Sequence, residues 1–119
     1  MSLNSTVGQA TNVLSNAVVS SFPYVSSNYV ISFAKHVDVE FEFATFTGGS
    51  SPTVQCNLQA INPVSGTVIR TFNGAILSAA GHDYISVDAL MLGDTISLTI
   101  VVTGSPTNIT GTYARFIPK

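Results

Sequence analysis

Few side chains in this sequence can do chemistry, so their spacing is read first. Asp38, Glu40 and Glu42 alternate along "VDVEFEF". On a strand this places three carboxylates on one face, roughly 6–7 Å from one to the next. Three carboxylates can contribute to a calcium site, but no Gly-spaced loop of ligands accompanies them. They read instead as a solvated or interface-facing strand whose charges discourage wrong edge pairing. His82 and Asp83 follow "SAAG", and His36 precedes Val37. Two His residues and a carboxylate can form a hydrolytic or metal centre. No G-x-S-x-G, H-E-x-x-H or comparable motif supports one here, so both histidines are expected at exposed turns. Cys56 stands alone, so it forms no internal disulfide. It lies in "TVQCNLQAI" on the side shared by Val54 and Leu58, the place of a small buried hydrophobe. Tyr24, Tyr29, Tyr84 and Tyr113 are candidates for a sugar-stacking platform, although Trp, the usual stacking residue, is absent. The sequence therefore assigns no catalytic residue, no cofactor and no metal ligand.

Composition narrows the function classes. The chain has 119 residues, the size of one domain with its own core. Only 8% of residues are charged, against about 25% in an ordinary soluble domain. The hydrophobic share is 45% and the net charge is −2. Ser, Thr, Asn and Gly make up the polar remainder, and such a surface repels its neighbours weakly. It favours packing against other copies or a partner. The four cations, Lys35, Arg70, Arg115 and Lys119, form no cluster in sequence, so nucleic acid is not an expected partner. Apolar runs fall far short of the ~20 residues of a spanning helix, so no membrane partner is expected either. "MSLNSTVGQATNVLSNAVVSS" has neither a basic start nor a continuous apolar run. The expectation is a protein made in a cytoplasm and retained there or released by another route. The sequons Asn4-Ser5-Thr6 and Asn108-Ile109-Thr110 carry no meaning without secretion.

Two regions follow from the pattern. Residues 1–27 are rich in Ser, Asn, Thr, Val and Ala, with Leu3, Val7, Ala10, Leu14 and Ala17 at helical spacing. Ser, Thr, Asn and Val are mediocre helix formers, so the segment reads as a weak amphipathic helix or an extended arm that a partner orders. Leu3, Val7, Leu14 and Val18 are its candidate assembly contacts. If it is the connector, a chain lacking residues 2–21 should fold and stay monomeric. Residues 28–119 read as strand after strand, about seven or eight in all, separated by turn residues. The expected fold is all-β, an antiparallel β-sandwich of jelly-roll or immunoglobulin-like type, with an N-terminal arm. "FTGGSSPTV" and "VTGSPTNI" are one turn used twice. Their glycines permit positive φ, and their prolines lack an N–H. Each is expected to close a hairpin, joining "VEFEFATF" to "VQCNLQAI" and "ISLTIVV" to "NITGTYARFI".

Strand, T-G-x-S-P-T turn, Gln-bearing strand, "LSAAGHDYISV" and "TISLTIVVTGSPTNITGTY" together resemble a small β-sandwich recurrent in tailed-bacteriophage virion proteins. The resemblance covers about residues 40–117. It departs where that outline has a DDGxTW-like turn, since this chain has "NPVSG". It implies a non-enzymatic viral structural protein: a capsid decoration, head-fibre or tail accessory subunit. Such a subunit would sit in the virion as a homo-oligomer, on the major capsid or tail lattice, or both. Two other classes fit the residues. One is a bacterial or spore-surface filament subunit assembled by strand addition. The other is a carbohydrate-binding module that uses the tyrosines.

Overall fold

A computed structural model describes residues 2–119. It is built from strands, with one 3-10 turn at Ala89–Met91. The strands are β1 (Ser2–Asn4), β2 (Thr11–Val19), β3 (Tyr24–Val25), β4 (Asn28–Val30), β5 (His36–Phe43), β6 (Thr45–Thr47), β7 (Thr53–Ile61), β8 (Val68–Asn73), β9 (Gly81–Asp88), β10 (Thr95–Thr103) and β11 (Asn108–Pro118). One sheet has the order β1-β4-β10-β7-β8, with β3 also on β10. The other has the order β2-β11-β5-β9, with β6 also on β11.

Two of the short strands are continuations. β3 and β4 pair successive stretches of β10. The chain between them stays anchored, because Ser26 donates its N–H to the Leu98 carbonyl and its Oγ accepts the Leu98 N–H at 2.8 Å. β5 and β6 likewise pair successive stretches of β11. They are interrupted at Ala44, which crowds Gly111 at a φ of +59°. Eight main strands result, four to a sheet, and their pairing is nested. The first pairs with the last (β2 with β11), the second with the seventh (β4 with β10), the third with the sixth (β5 with β9) and the fourth with the fifth (β7 with β8). A long ribbon of antiparallel pairs wrapped into two sheets is a jelly roll, which decides between the two sandwich types.

Alternation along the strands builds the core. Val37, Val39, Phe41 and Phe43 of β5 point inward, as do Val54, Cys56, Leu58 and Ala60 of β7 and Ile96, Leu98 and Ile100 of β10. Phe116 is fully buried and meets Tyr29 edge-on, with ring centroids 4.9 Å apart. Each buried Val, Leu, Ile or Phe among them contributes about 1.5–3 kcal/mol by leaving water.

The structure corrects three expectations. Neither Gly-Ser-Pro turn closes a hairpin: each carries the chain from one sheet to the other, and among the main strands only β7 and β8 are successive and paired. The helical option for the N-terminal segment gives way to strands over its described residues, 2–27. β1 lies parallel to β4, and β2 runs along β11 with Val19 in the core. β2 breaks the regular alternation with register shifts and a φ of +49° at Asn16. The histidines lie on strands β5 and β9 rather than at turns.

The repeated turn has a structural reason. The two copies lie against each other at one end of the sandwich. Ser50 donates its N–H to the Gly104 carbonyl at 2.9 Å, and Thr107 donates to Thr47 at 2.7 Å. A Cβ on Gly104 would stand 2.5 Å from the Ser50 carbonyl and 2.8 Å from the Pro52 Cα. A Cβ on Gly49 would stand 2.7 Å from the Gly104 carbonyl. Both glycines have positive φ as well. Gly66 shares the positive φ but would have open space around its Cβ. Gly66→Ala should therefore cost about 1–2 kcal/mol of backbone strain alone. Gly104→Ala should cost at least about 3 kcal/mol. Urea midpoints at unchanged slope check the difference.

Candidate functional site

The outer face of the β2-β11-β5-β9 sheet collects most of the chain's polar chemistry. Pairing register sets it out in rows across the strands. His82, Glu42 and Tyr113 form one row. Tyr84, Glu40, Arg115 and Asn12 form the next. Ser86, Asp38 and Ile117 form the third. Rows lie about 7 Å apart and strands about 4.8 Å. The first two rows line an open groove of about 630 Å³.

Arg115 grips Glu40 by Nε at 3.0 Å and Nη2 at 2.8 Å, both on one carboxylate oxygen. Both side chains are well exposed, so the pair fixes their orientation more than it stabilises the fold. Tyr84 is 57% exposed and Tyr113 43%. They present rings at opposite corners of the groove, with β5 between them.

The third row is closed. Asp38 is buried, with Lys119 Nζ at 2.7 Å and Ser86 Oγ at 2.7 Å. His36 Nε2 stands 3.9 Å away. Burial pushes the Asp38 carboxyl up. Hydrogen bonds from Lys119, Ser86 and Tyr84, together with the Lys119 charge, outweigh it and hold the group at about 2. Asp38 in turn raises Lys119 and Tyr84 through hydrogen bonding and charge. The reading of three solvated carboxylates thus fits Glu40 and Glu42. It fails for Asp38, whose partner lies at the far end of the chain. Only the register of β11 against β5 brings them together.

The remaining candidates separate. Tyr29 is in the core and Tyr24 is half-buried, where burial and then Tyr29 raise its hydroxyl. The four-tyrosine platform is therefore reduced to Tyr84 and Tyr113. His36 and His82 sit at opposite ends of the β5–β9 pair, opposite Asp88 and Glu42. Among the described residues no group of three His, Cys, Asp or Glu is placed to hold a metal ion, and no helix is long and apolar enough to cross a membrane. Cys56 is buried, and burial, then the Asp83 charge, pushes its thiol up to about 12. Leu14 packs on the core, while Leu3, Val7 and Val18 are 44%, 41% and 61% exposed. Sequence reading missed the Arg115–Glu40 and Lys119–Asp38 pairs. The alternation of Tyr113 and Arg115 along β11 was the available signal for a shared outer face.

The fold has solved counterparts. A chain of the VP2 subviral particle of infectious bursal disease virus matches with a TM-score of 0.58 at 15% identity, over 92% of this chain and 32% of that one. A chain of the icosahedral particle of the same virus matches with a TM-score of 0.57 at 16% identity, over 92% and 30%. This chain thus spans about a third of the length of those viral chains. A chain of Bacillus endospore appendages overlaps with a TM-score of only 0.35 at 13% identity, over 91% and 78%. No protein-family model matches the sequence, and no curated protein does.

The Asp38 carboxyl lies below its unperturbed value of 3.8 when folded. Its contribution to stability is therefore present above about pH 4 and lost as pH falls toward 2. Asp38→Asn should be less stable than the parent near neutrality, and the gap should close between about pH 4 and pH 2. Urea titrations across that window check this. Cys56 should ignore a disulfide reagent at about pH 8 until the protein is unfolded.

Proposed function

We propose that the chain is a non-enzymatic structural subunit of a virus particle that acts by self-association or by docking on a capsid or tail lattice. The observation that carries this reading is the jelly roll matched over 92% of the chain to a subunit of the VP2 subviral particle. The uncharged Ser/Thr/Asn surface supports it, since weak self-repulsion suits close packing of copies. A finer assignment, a decoration or accessory subunit in the virion of a tailed phage, rests on the sequence resemblance over residues 40–117.

The end of the sandwich remote from the two Gly-Ser-Pro turns is the proposed contact. There the N-terminal segment crosses between the sheets. Ser5 donates to the Val30 carbonyl at 2.9 Å and Gly8 to Pro118 at 2.6 Å. Lys35 donates to Lys119 at 2.5 Å. These bonds bring Leu3, Val7 and Phe33 to the same end. Phe33 is 97% exposed at a φ of +70°. Removing residues 2–21 would also remove β2, the partner of β11, so point changes are the sharper test of an assembly role. Val18 is exposed too, but it lies at the other end of β2, where Val19 pairs with Ile109 beside the second Gly-Ser-Pro turn, and so stands outside this contact.

A second reading, a filament subunit of a bacterial or spore surface, is supported by the outer edge of β8, where Val68 and Ile69 are about half exposed. Such an edge can accept a strand.

Light scattering with negative-stain images of the purified protein should show discrete closed oligomers. Val7→Ser with Phe33→Ser should lower the mass toward the 12.5 kDa monomer, with the melting temperature nearly unchanged because both side chains are exposed. Long fibres would favour the filament reading. A parent that stays monomeric at high concentration and binds no lattice would count against assembly altogether.

A further inference from the structure

We infer that the groove on the outer face of the β2-β11-β5-β9 sheet is a binding site for a neutral oligosaccharide. The inference is independent of the assembly reading, since the groove lies on a sheet face and the proposed contact at a sandwich end.

The chemistry of the groove selects its ligand. Tyr84 and Tyr113 stand on β9 and β11, two strands and one row apart, so their Cα atoms are about 12 Å from each other. That separation suits successive units of a chain better than one small molecule. Each exposed ring offers an apolar face, and Tyr113 adds a polar tip, while the Tyr84 hydroxyl is bonded to Asp38. Between them lie Glu40, Glu42 and Arg115, which offer acceptors and donors at fixed positions. Sugars present this combination in reverse, with C–H faces for the rings and hydroxyls that both donate and accept.

Other ligands fit less well. Among the described residues Arg115 is the only Lys or Arg lining the groove, and it is engaged with Glu40. With Glu42 beside it, an anionic glycan, nucleotide or phosphopeptide would meet net repulsion. A metal cation would find no set of three His, Cys, Asp or Glu ligands among the described residues. An extended peptide gains affinity by pairing its backbone at a sheet edge. This groove lies over β5 and β11, whose backbone groups are paired on both sides. Side chains alone must recognise the ligand, and their hydroxyl, carboxylate and guanidinium groups suit polyols.

The test is an array of immobilised neutral glycans (gluco-, xylo-, manno- and N-acetylglucosamine oligomers) with polysialic acid and heparin fragments beside them, followed by calorimetric titration of the best binder. At least one neutral oligomer should bind at millimolar affinity or better, and the anionic set should not. Tyr113→Ala should weaken binding about tenfold, while Tyr113→Phe should stay within about threefold of the parent. Tyr84→Phe separates stacking from the hydroxyl's bond to Asp38, and should also retain binding. Unchanged oligomer mass and melting temperature in Tyr113→Ala would keep this result apart from assembly. Absence of binding to every neutral oligomer, preference for the anionic set, or parental affinity in Tyr113→Ala would each overturn the inference.

Discussion

Nested strand pairing imposes one constraint on everything else: all but one of the links between main strands must cross from sheet to sheet, a distance of about 10 Å. A crossing turn cannot satisfy its backbone groups in a hairpin ladder, so it must find other partners. At one end of the sandwich the two Gly-Ser-Pro turns solve this for each other. Ser50 bonds to Gly104 and Thr107 to Thr47, and the glycines allow contact closer than any Cβ would permit. At the β8–β9 corner Gly74 has the same role. It donates to the Cys56 carbonyl at 3.1 Å and accepts from Gln55 Nε2 at 2.8 Å. A Cβ there would stand 2.4 Å from both the Cys56 carbonyl and an Asp83 carboxylate oxygen.

The few charges are arranged around this frame rather than scattered. Lys119 reaches back to Asp38 and closes the last row of the outer face at the chain's end. Arg115 holds Glu40 two residues from the Tyr113 ring. With so little charge elsewhere, long-range repulsion is weak, and short-range contact decides what the surface binds. That condition suits a subunit that packs among copies of itself and a groove that recognises an uncharged ligand.

Much of the fold was legible because β5, β7 and β10 alternate cleanly, and alternation reports which residues face a core. It reports nothing about which strand lies alongside. The Gly-Ser-Pro turns therefore looked like hairpins, since the same residues serve a tight turn and a crossing. Residues 1–27 were harder for another reason. β2 carries register shifts against β11, so neither a period of two nor one of 3.6 describes it, and Leu3, Val7 and Leu14 matched helical spacing by coincidence. The Ser/Thr/Asn/Val composition was the better guide, because Val and Thr favour strands while Ser and Asn compete with the backbone for hydrogen bonds and weaken helix interiors. At the site, Glu40, Glu42 and the exposed tyrosines were visible as residue types. Their assembly into rows was not, because Tyr84, Glu40 and Arg115 are brought together only by the third, sixth and last strands lying side by side.

Topology also explains why the groove lies where it does. Pairing the first strand with the last places β11 inside a sheet, with β5 beside it, although β11 ends the ribbon. A terminal strand at a sheet edge would have offered its backbone to a partner. Set between β2 and β5, it offers only side chains, and in that setting Tyr113 and Arg115 become surface chemistry over a rigid, fully paired backbone. Open backbone is left elsewhere, on the outer edge of β8, and exposed apolar side chains gather at the crossing end near Val7 and Phe33. The fold thus keeps the outer edge of β8, the crossing end and the β2-β11-β5-β9 face apart, so the contacts proposed for each would not compete for the same atoms.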